Sequence, residues 1–162
     1  LLLKHKMVDM YAKGNYNFTI LHIASQKNSL EMVKYLVDKG CDINAKNTCG
    51  TKPIHIAARE GFKDTVAFFL SKGSSIEEYG MFNQTLLHYA AMNGKSEVVK
   101  YLIEKGVNVN VRDQNGSTPL HFAALADHKD TIEILLQNGA IYNGVDKLHR
   151  KPIERTNDKD VI

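Results

Sequence analysis

The chain has 162 residues, of which 43% are hydrophobic and 24% charged, enough apolar material for a shared core and too much for a disordered segment. The net charge is only +3, with Lys and Arg interspersed among Asp and Glu, so there is no basic block of the kind that favours nucleic acid. Two cysteines, Cys41 and Cys49, exclude a disulfide-stapled scaffold and favour a reduced, cytoplasmic setting over a secreted one. No apolar run approaches the ~18 residues of a membrane span. The numbered chain starts without Met, which leaves room for a leader or further domains upstream and keeps the compartment open.

Taken in order, the chain opens with residues 1–13, which align with the last part of a repeating unit: Leu2 and Leu3 match Tyr35 and Leu36, and Asp9, Ala12 and Lys13 match Asp42, Ala45 and Lys46. Complete units then run 14–46, 47–79, 80–112 and 113–145, and residues 146–162 begin a shortened fifth. The spacing is strict. His22, His55, His88 and His121 are each 33 residues apart, as are Gly40, Gly73, Gly106 and Gly139. One further step from His121 reaches Glu154 inside Lys151-Pro152-Ile153-Glu154, which keeps part of the motif without its histidine. The whole chain, 1–162, is therefore expected to be one repeat domain cut from a longer array.

Each unit predicts two helices. The first follows Thr19, Thr85 or Thr118, whose hydroxyl suits a helix N-cap, and all three prolines (Pro53, Pro119, Pro152) fall at the first helical position, where no N–H is needed. Small pairs such as Ala57-Ala58, Ala90-Ala91 and Ala123-Ala124 let neighbouring units approach closely. Gly61 and Gly94 then break the chain, with Asn28 and Asp127 standing at the same place in the other units; Asp127 is the expected weak point. A second helix carries apolar residues at helical spacing, such as Val33, Leu36 and Val37 or Ile132, Leu135 and Leu136. A glycine ends it in left-handed geometry and an extended loop follows.

The segments Thr19-Ile20-Leu21-His22-Ile23-Ala24, Lys52-Pro53-Ile54-His55-Ile56-Ala57, Thr85-Leu86-Leu87-His88-Tyr89-Ala90 and Thr118-Pro119-Leu120-His121-Phe122-Ala123 resemble the T-P-L-H-x-A signature of ankyrin repeats, which share the 33-residue period. The resemblance spans nearly the whole chain. It implies an all-α ankyrin-repeat solenoid of stacked helix-turn-helix units with hairpin-like loop tips, and a concave face built from those tips and the first helices. It also implies that the motif histidines sit in a structural hydrogen-bond network with the threonine at the helix start. A fainter likeness is to the long ankyrin arrays of arthropod latrotoxins.

Chemistry has little to build on. Four histidines belong to successive units and cannot converge on one ion, while His5, His128 and His149 lack a Cys or carboxylate at ligand spacing. No cofactor, metal, small-molecule substrate or catalytic centre is expected. Asn17-Phe18-Thr19, Asn83-Gln84-Thr85 and Asn115-Gly116-Ser117 match the N-glycosylation pattern, but each overlaps a helix start that already demands Ser or Thr. Cys41 takes a position the family fills with Ala and is expected to be buried; Cys49 falls on a tip.

Partner binding is expected at the free tip and first-helix positions. The third unit stands out, with Tyr79, Met81, Phe82 and Met92 at such positions, and Arg59 and Arg112 are expected to flank this cluster. Leu125, Tyr16 and Phe18 extend the candidate surface. The expected partner is a protein, and the expected role a non-catalytic protein–protein interaction module. The alternatives are a structural spacer and part of a large secreted toxin or effector array.

Overall fold

The computed structural model describes residues 12–152. His5, Glu154 and the outer parts of the two incomplete units lie outside the described residues. Among the described residues there are eight α-helices: α1 (Ile20–Gln26), α2 (Leu30–Asp38), α3 (Pro53–Glu60), α4 (Lys63–Ser71), α5 (Leu86–Met92), α6 (Ser96–Glu104), α7 (Pro119–Leu125) and α8 (Lys129–Gln137). Both series start at 33-residue steps, from Ile20 and from Leu30. The fold is an all-α solenoid; among the described residues the only β feature is an isolated bridge between Lys13 and Thr19.

The helices form two rows. The short first helices α1, α3, α5 and α7 pack side by side, the longer second helices α2, α4, α6 and α8 form the outer row, and each pair packs within its own unit. The inner row is tight because its contacts are made by alanines: Ala57, Ala58, Ala90, Ala91, Ala123 and Ala124 are all fully buried. Between the rows lie Leu36, Ile54, Phe69, Leu87, Leu102, Leu120, Ile132 and Leu135, each buried. Because every unit shares its core only with its neighbours, stability is distributed along the stack as a series of nearest-neighbour terms.

The turn between the helices needs a left-handed residue, and all four units supply one: Asn28 at φ 54°, Gly61 at 87°, Gly94 at 64° and Asp127 at 57°. Asp127 thus adopts the same backbone as the glycines, in keeping with the tolerance of short polar side chains for this region. Here His128 closes the joint, its Nε2 lying 3.0 Å from the Met92 carbonyl at the end of α5. Cys41 is buried beneath the first unit, where burial pushes its thiol pKa up, and Cys49 is exposed.

The four motif histidines clamp the units together. The backbone N–H of Thr19, Lys52, Thr85 or Thr118 donates to Nδ1 of the histidine three residues on, at 3.2, 3.1, 3.1 and 3.1 Å. A main-chain N–H can only donate, so Nδ1 carries no proton and the ring is the neutral Nε2–H tautomer. That Nε2–H donates to a carbonyl of the following tip: His22 to Thr51 at 2.9 Å, His88 to Ser117 at 3.0 Å and His121 to Arg150 at 3.0 Å. His55 instead reaches Glu78, at 3.2 Å. Each imidazole therefore caps its own helix; His22, His88 and His121 also hold the next unit's tip in place, while His55 holds the end of its own unit.

Burial favours the neutral ring. Desolvation lowers the His55 pKa to about 4, with the Glu78 carbonyl bond and charge opposing it. His22 and His88 are lowered for the same principal reason, with carbonyl bonds to Thr51 and Ser117 working against it. Between pH 6.5 and about 4 the unfolded chain binds a proton at residue 55 that the folded chain does not, so stability rises with pH across that window. The contribution is complete above pH 6.5, and acidification to pH 4 removes up to about 3 kcal/mol at this one site. Urea titrations between pH 7.5 and 4 will show this loss, and the His55 ring resonances of the folded chain will stay unshifted until below pH 5; titration of the folded ring near 6.5 would contradict it.

The packing supports a second expectation. Leu120 is fully buried in α7, so Leu120→Ala will leave a cavity and cost about 2–5 kcal/mol, whereas Gln114→Ala on an exposed tip will stay within about 0.5 kcal/mol of the parent. Comparable losses in denaturant titrations of the two variants would contradict the packing described.

Candidate functional site

The tips come in two constructions, chosen by the residue that heads them. Where Asn47, Asp113 or Asp146 leads, its side-chain oxygen accepts two backbone N–H groups, from Cys49 and Thr51, from Asn115 and Ser117, or from Leu148 and Arg150, at 2.8–3.0 Å. In these tips a single residue is left-handed: Gly50, Gly116 or His149. Gly14 and Gly80 offer no such acceptor. Their tips are tight turns closed by Phe18 N–H to Asn15 and by Gln84 N–H to Met81, at 3.3 and 3.0 Å, with two successive left-handed residues, Tyr16-Asn17 and Phe82-Asn83. That is the two-residue turn with positive φ at both central positions.

This second construction places an aromatic side chain where the backbone disfavours one. Tyr16 sits at φ 59° and Phe82 at φ 57°, and their side chains are 76% and 46% exposed. The carbonyl of each binds the next tip, accepting from Thr48 N–H and Gln114 N–H at 2.9 Å; Asn115 accepts from Lys147 in the same register. A left-handed conformation costs an ordinary residue about 1–2 kcal/mol. At Phe82 that cost is borne by a ring facing solvent.

Phe82 lies on the rim of a trough of ≈ 580 Å³ running over α3, α5 and α7. Met81, Met92, Phe122, Leu125 and Tyr89 supply its apolar lining, Gln84, Asn115 and Ser117 its polar groups, and Arg59 and Arg150 also line it. A smaller recess of ≈ 340 Å³ adjoins it through Arg59, Met81 and Tyr89, and is lined also by Tyr16 and Phe18. Seven of the nine residues expected from the sequence therefore fall on one continuous concave surface: Arg59, Met81, Phe82, Met92 and Leu125 in the trough, Tyr16 and Phe18 in the recess.

Tyr79 and Arg112 do not join them. Tyr79 is on the reverse side of its tip, lining a separate cavity with Ile76, Leu87, Val107 and Val111. Arg112 braces two tips, its Nη1 donating to the carbonyls of Gly116 at 3.0 Å and Val145 at 2.7 Å. The arginine that shares the trough with Arg59 is Arg150, held by Asp146 at 2.8 Å. Burial acts to raise the Asp146 carboxyl pKa, but hydrogen bonds from the Arg150 backbone and side chain and from Leu148 outweigh it and bring it to about 2.

Tyr89 is the other residue that sequence reasoning passed over. It occupies the variable place in the motif, where the other units have Ile23, Ile56 and Phe122. Its ring packs on His55 at 5.2 Å, and its hydroxyl accepts the Met81 backbone N–H at 3.0 Å. The equivalent N–H groups of Thr48, Gln114 and Lys147 all bind the preceding tip. Gly80 makes room, since a Cβ there would lie 2.6 Å from that hydroxyl. Beside this junction Lys52 replaces the capping threonine and pairs with Glu78 at 2.8 Å.

Among the described residues no three His, Cys, Asp or Glu side chains come together to hold a metal ion, and no helix is long and apolar enough to cross a membrane. The asparagines of the three glycosylation-like triplets, Asn17, Asn83 and Asn115, are all exposed on tips.

Replacing Phe82 by Gly removes the left-handed cost of about 1–2 kcal/mol and adds roughly 1 kcal/mol of backbone entropy to the unfolded chain. Urea midpoints of Phe82→Gly will therefore place its stability within about 1 kcal/mol of the parent. A loss above 2 kcal/mol would mean that the ring is a packing element.

Comparison with known families gives one match: the family model described as ankyrin repeats (3 copies) aligns with residues 1–47, 21–113 and 54–146. No curated protein matches the chain, and the likeness to latrotoxin arrays gains no support.

Proposed function

This chain belongs to the ankyrin-repeat family, whose members are in general protein–protein interaction modules, and from that premise we propose that it binds a protein partner non-catalytically through the concave face formed by its tips and first helices. The observation that carries this reading is Phe82. A large apolar ring is held in left-handed backbone, 46% exposed, at the edge of a trough lined by methionines, aromatics and a leucine. Nothing in the packing of the stack requires an aromatic there, and such side chains are the usual anchors of protein interfaces. Leu125, 57% exposed, adds a second apolar contact to the same trough.

The alternative role of a passive spacer accounts for the stacked core but gives no reason for a strained aromatic facing solvent. Clustered exposed apolar surface of this kind marks interaction sites. Tyr79 and Arg112, set apart from the trough, have no part in this contact.

The test is a selection of dodecapeptides displayed at random against the full chain, followed by binding isotherms and melting curves for variants. Phe82→Ala will weaken selected ligands by about 2 kcal/mol or more, and Leu125→Ala by more than about 1 kcal/mol, with melting temperatures near that of the parent. Ligands that bind Phe82→Ala and Leu125→Ala as well as the parent would place the binding surface elsewhere.

A further inference from the structure

The charges around the trough give its occupant a chemical character. Two cations line it, Arg59 and Arg150. Each is fixed along one edge by a carboxylate. Glu60 Oε1 takes Arg59 Nε and Nη2 at 3.0 and 2.9 Å, and Asp146 Oδ2 takes Arg150 Nε and Nη2, both at 2.8 Å. In both arginines Nη1 lies outside these pairings, and the side chains remain 34% and 46% exposed. The guanidiniums are thus positioned in advance, with donors to spare.

No carboxylate is among the described residues that line the trough. The Asp146 side chain is fully buried, and Asp113 is turned into its own tip, where it binds the N–H groups of Asn115 and Ser117 and receives Gln84 at 3.4 Å. Glu60, bound to Arg59 through Oε1, lies outside the trough's lining. A cationic ligand would meet two guanidiniums and an apolar floor. A ligand with carboxylates would find a planar donor edge at two places, the arrangement that suits arginine–carboxylate recognition.

We infer that the trough receives an extended protein segment whose apolar side chains settle against Phe82, Met92 and Leu125 while two flanking carboxylates engage Arg59 and Arg150. Arg59 belongs to α3 and Arg150 to the tip beneath α7, two helices further along the row. At 8–10 Å per helix this is roughly 20 Å, or about six residues of extended chain at 3.3 Å each. The partner motif is therefore Asp or Glu, four or five residues that include bulky apolar side chains, then Asp or Glu. This assignment rests on the concave-face reading above and adds the class of partner to it.

Three fluorescent dodecapeptides provide the probe. They share a central Leu-Phe pair and differ only at two positions six residues apart, which carry Glu, Gln or Lys. In anisotropy titrations with the full chain, the Glu peptide will bind about tenfold or more tightly than the Gln peptide, and the Lys peptide most weakly. Arg59→Gln and Arg150→Gln will each reduce the Glu-over-Gln preference severalfold, and Arg150→Lys, which keeps the charge beside Asp146, will restore part of it. Melting curves will show that these variants are folded; if Arg150→Gln is not, Arg59→Gln and Arg59→Lys carry the comparison. Phe82→Ala will weaken the Glu and Gln peptides alike.

Equal binding of Glu and Gln peptides, with both sensitive to Phe82→Ala, would overturn the acidic motif and leave the concave face as the binding surface. Absence of any Phe82-dependent binding would overturn both readings. Competitive displacement of the Glu peptide by a 20-mer of thymidylate at equal affinity would assign the arginines to nucleic acid and overturn the proposal as well.

Discussion

A neutral imidazole with one accepting and one donating nitrogen is the hinge of this architecture. Its accepting Nδ1 satisfies a backbone N–H at the start of an inner helix, an orphan donor that every helix must dispose of. Its donating Nε2 fastens the carbonyl of the tip that follows. A protonated ring could not accept the first bond, and the opposite tautomer would serve neither. One side chain thereby couples the smallest local feature, a helix start, to the relation between units. This coupling repeats at His22, His88 and His121 and sets successive tips beneath successive inner helices, while His55 fastens the Glu78 carbonyl just ahead of the next tip.

Regularity makes the departures informative. The junction between the second and third units differs in four respects: Lys52 replaces threonine, His55 bonds to Glu78, Tyr89 fills the place of a smaller or purely apolar residue, and Met81 N–H binds a phenol in place of the preceding tip. These are connected. The tyrosine hydroxyl can reach the Met81 amide only because residue 80 is glycine, and glycine at that position in turn produces the double left-handed turn that exposes Phe82. The exposed Phe82 and the altered junction thus meet at one residue, Gly80.

The period, the helix pairs and the small residues of the inner helices were legible in the sequence because they recur in successive units, and the histidine's bond to its own helix start followed from the family resemblance, whereas its bond to a carbonyl 29 residues on did not. Most of the candidate surface was legible too, since register alone separates packing positions from free ones. What register could not convey was the side of the tip to which a free side chain points. Tyr79 and Met81 are two residues apart but face different cavities. Arg150 stands where Arg112 was expected for a similar reason: Arg112 is drawn into carbonyls of neighbouring tips, while Arg150, for which the sequence suggested no role, lines the trough and is held by Asp146 within its own turn. The contrast between Gly14 and Gly80 and the acidic or amide heads of the other tips was the signal that would have sorted the turn types.

The tip-to-tip bonds are main-chain bonds at three joints, and no exchange of side chains, proline apart, can delete them. At the fourth joint the link runs through the hydroxyl of Tyr89, which accepts the Met81 N–H at 3.0 Å and lies 3.4 Å from Thr51 Oγ1 of the preceding tip. There the polar link between the tips passes through a single oxygen atom, which a tyrosine-to-phenylalanine change would remove without altering the ring's stacking on His55 or the packing of α3 on α5. The polar link at this joint is thus written in one side chain, while those at the other joints are written in the backbone.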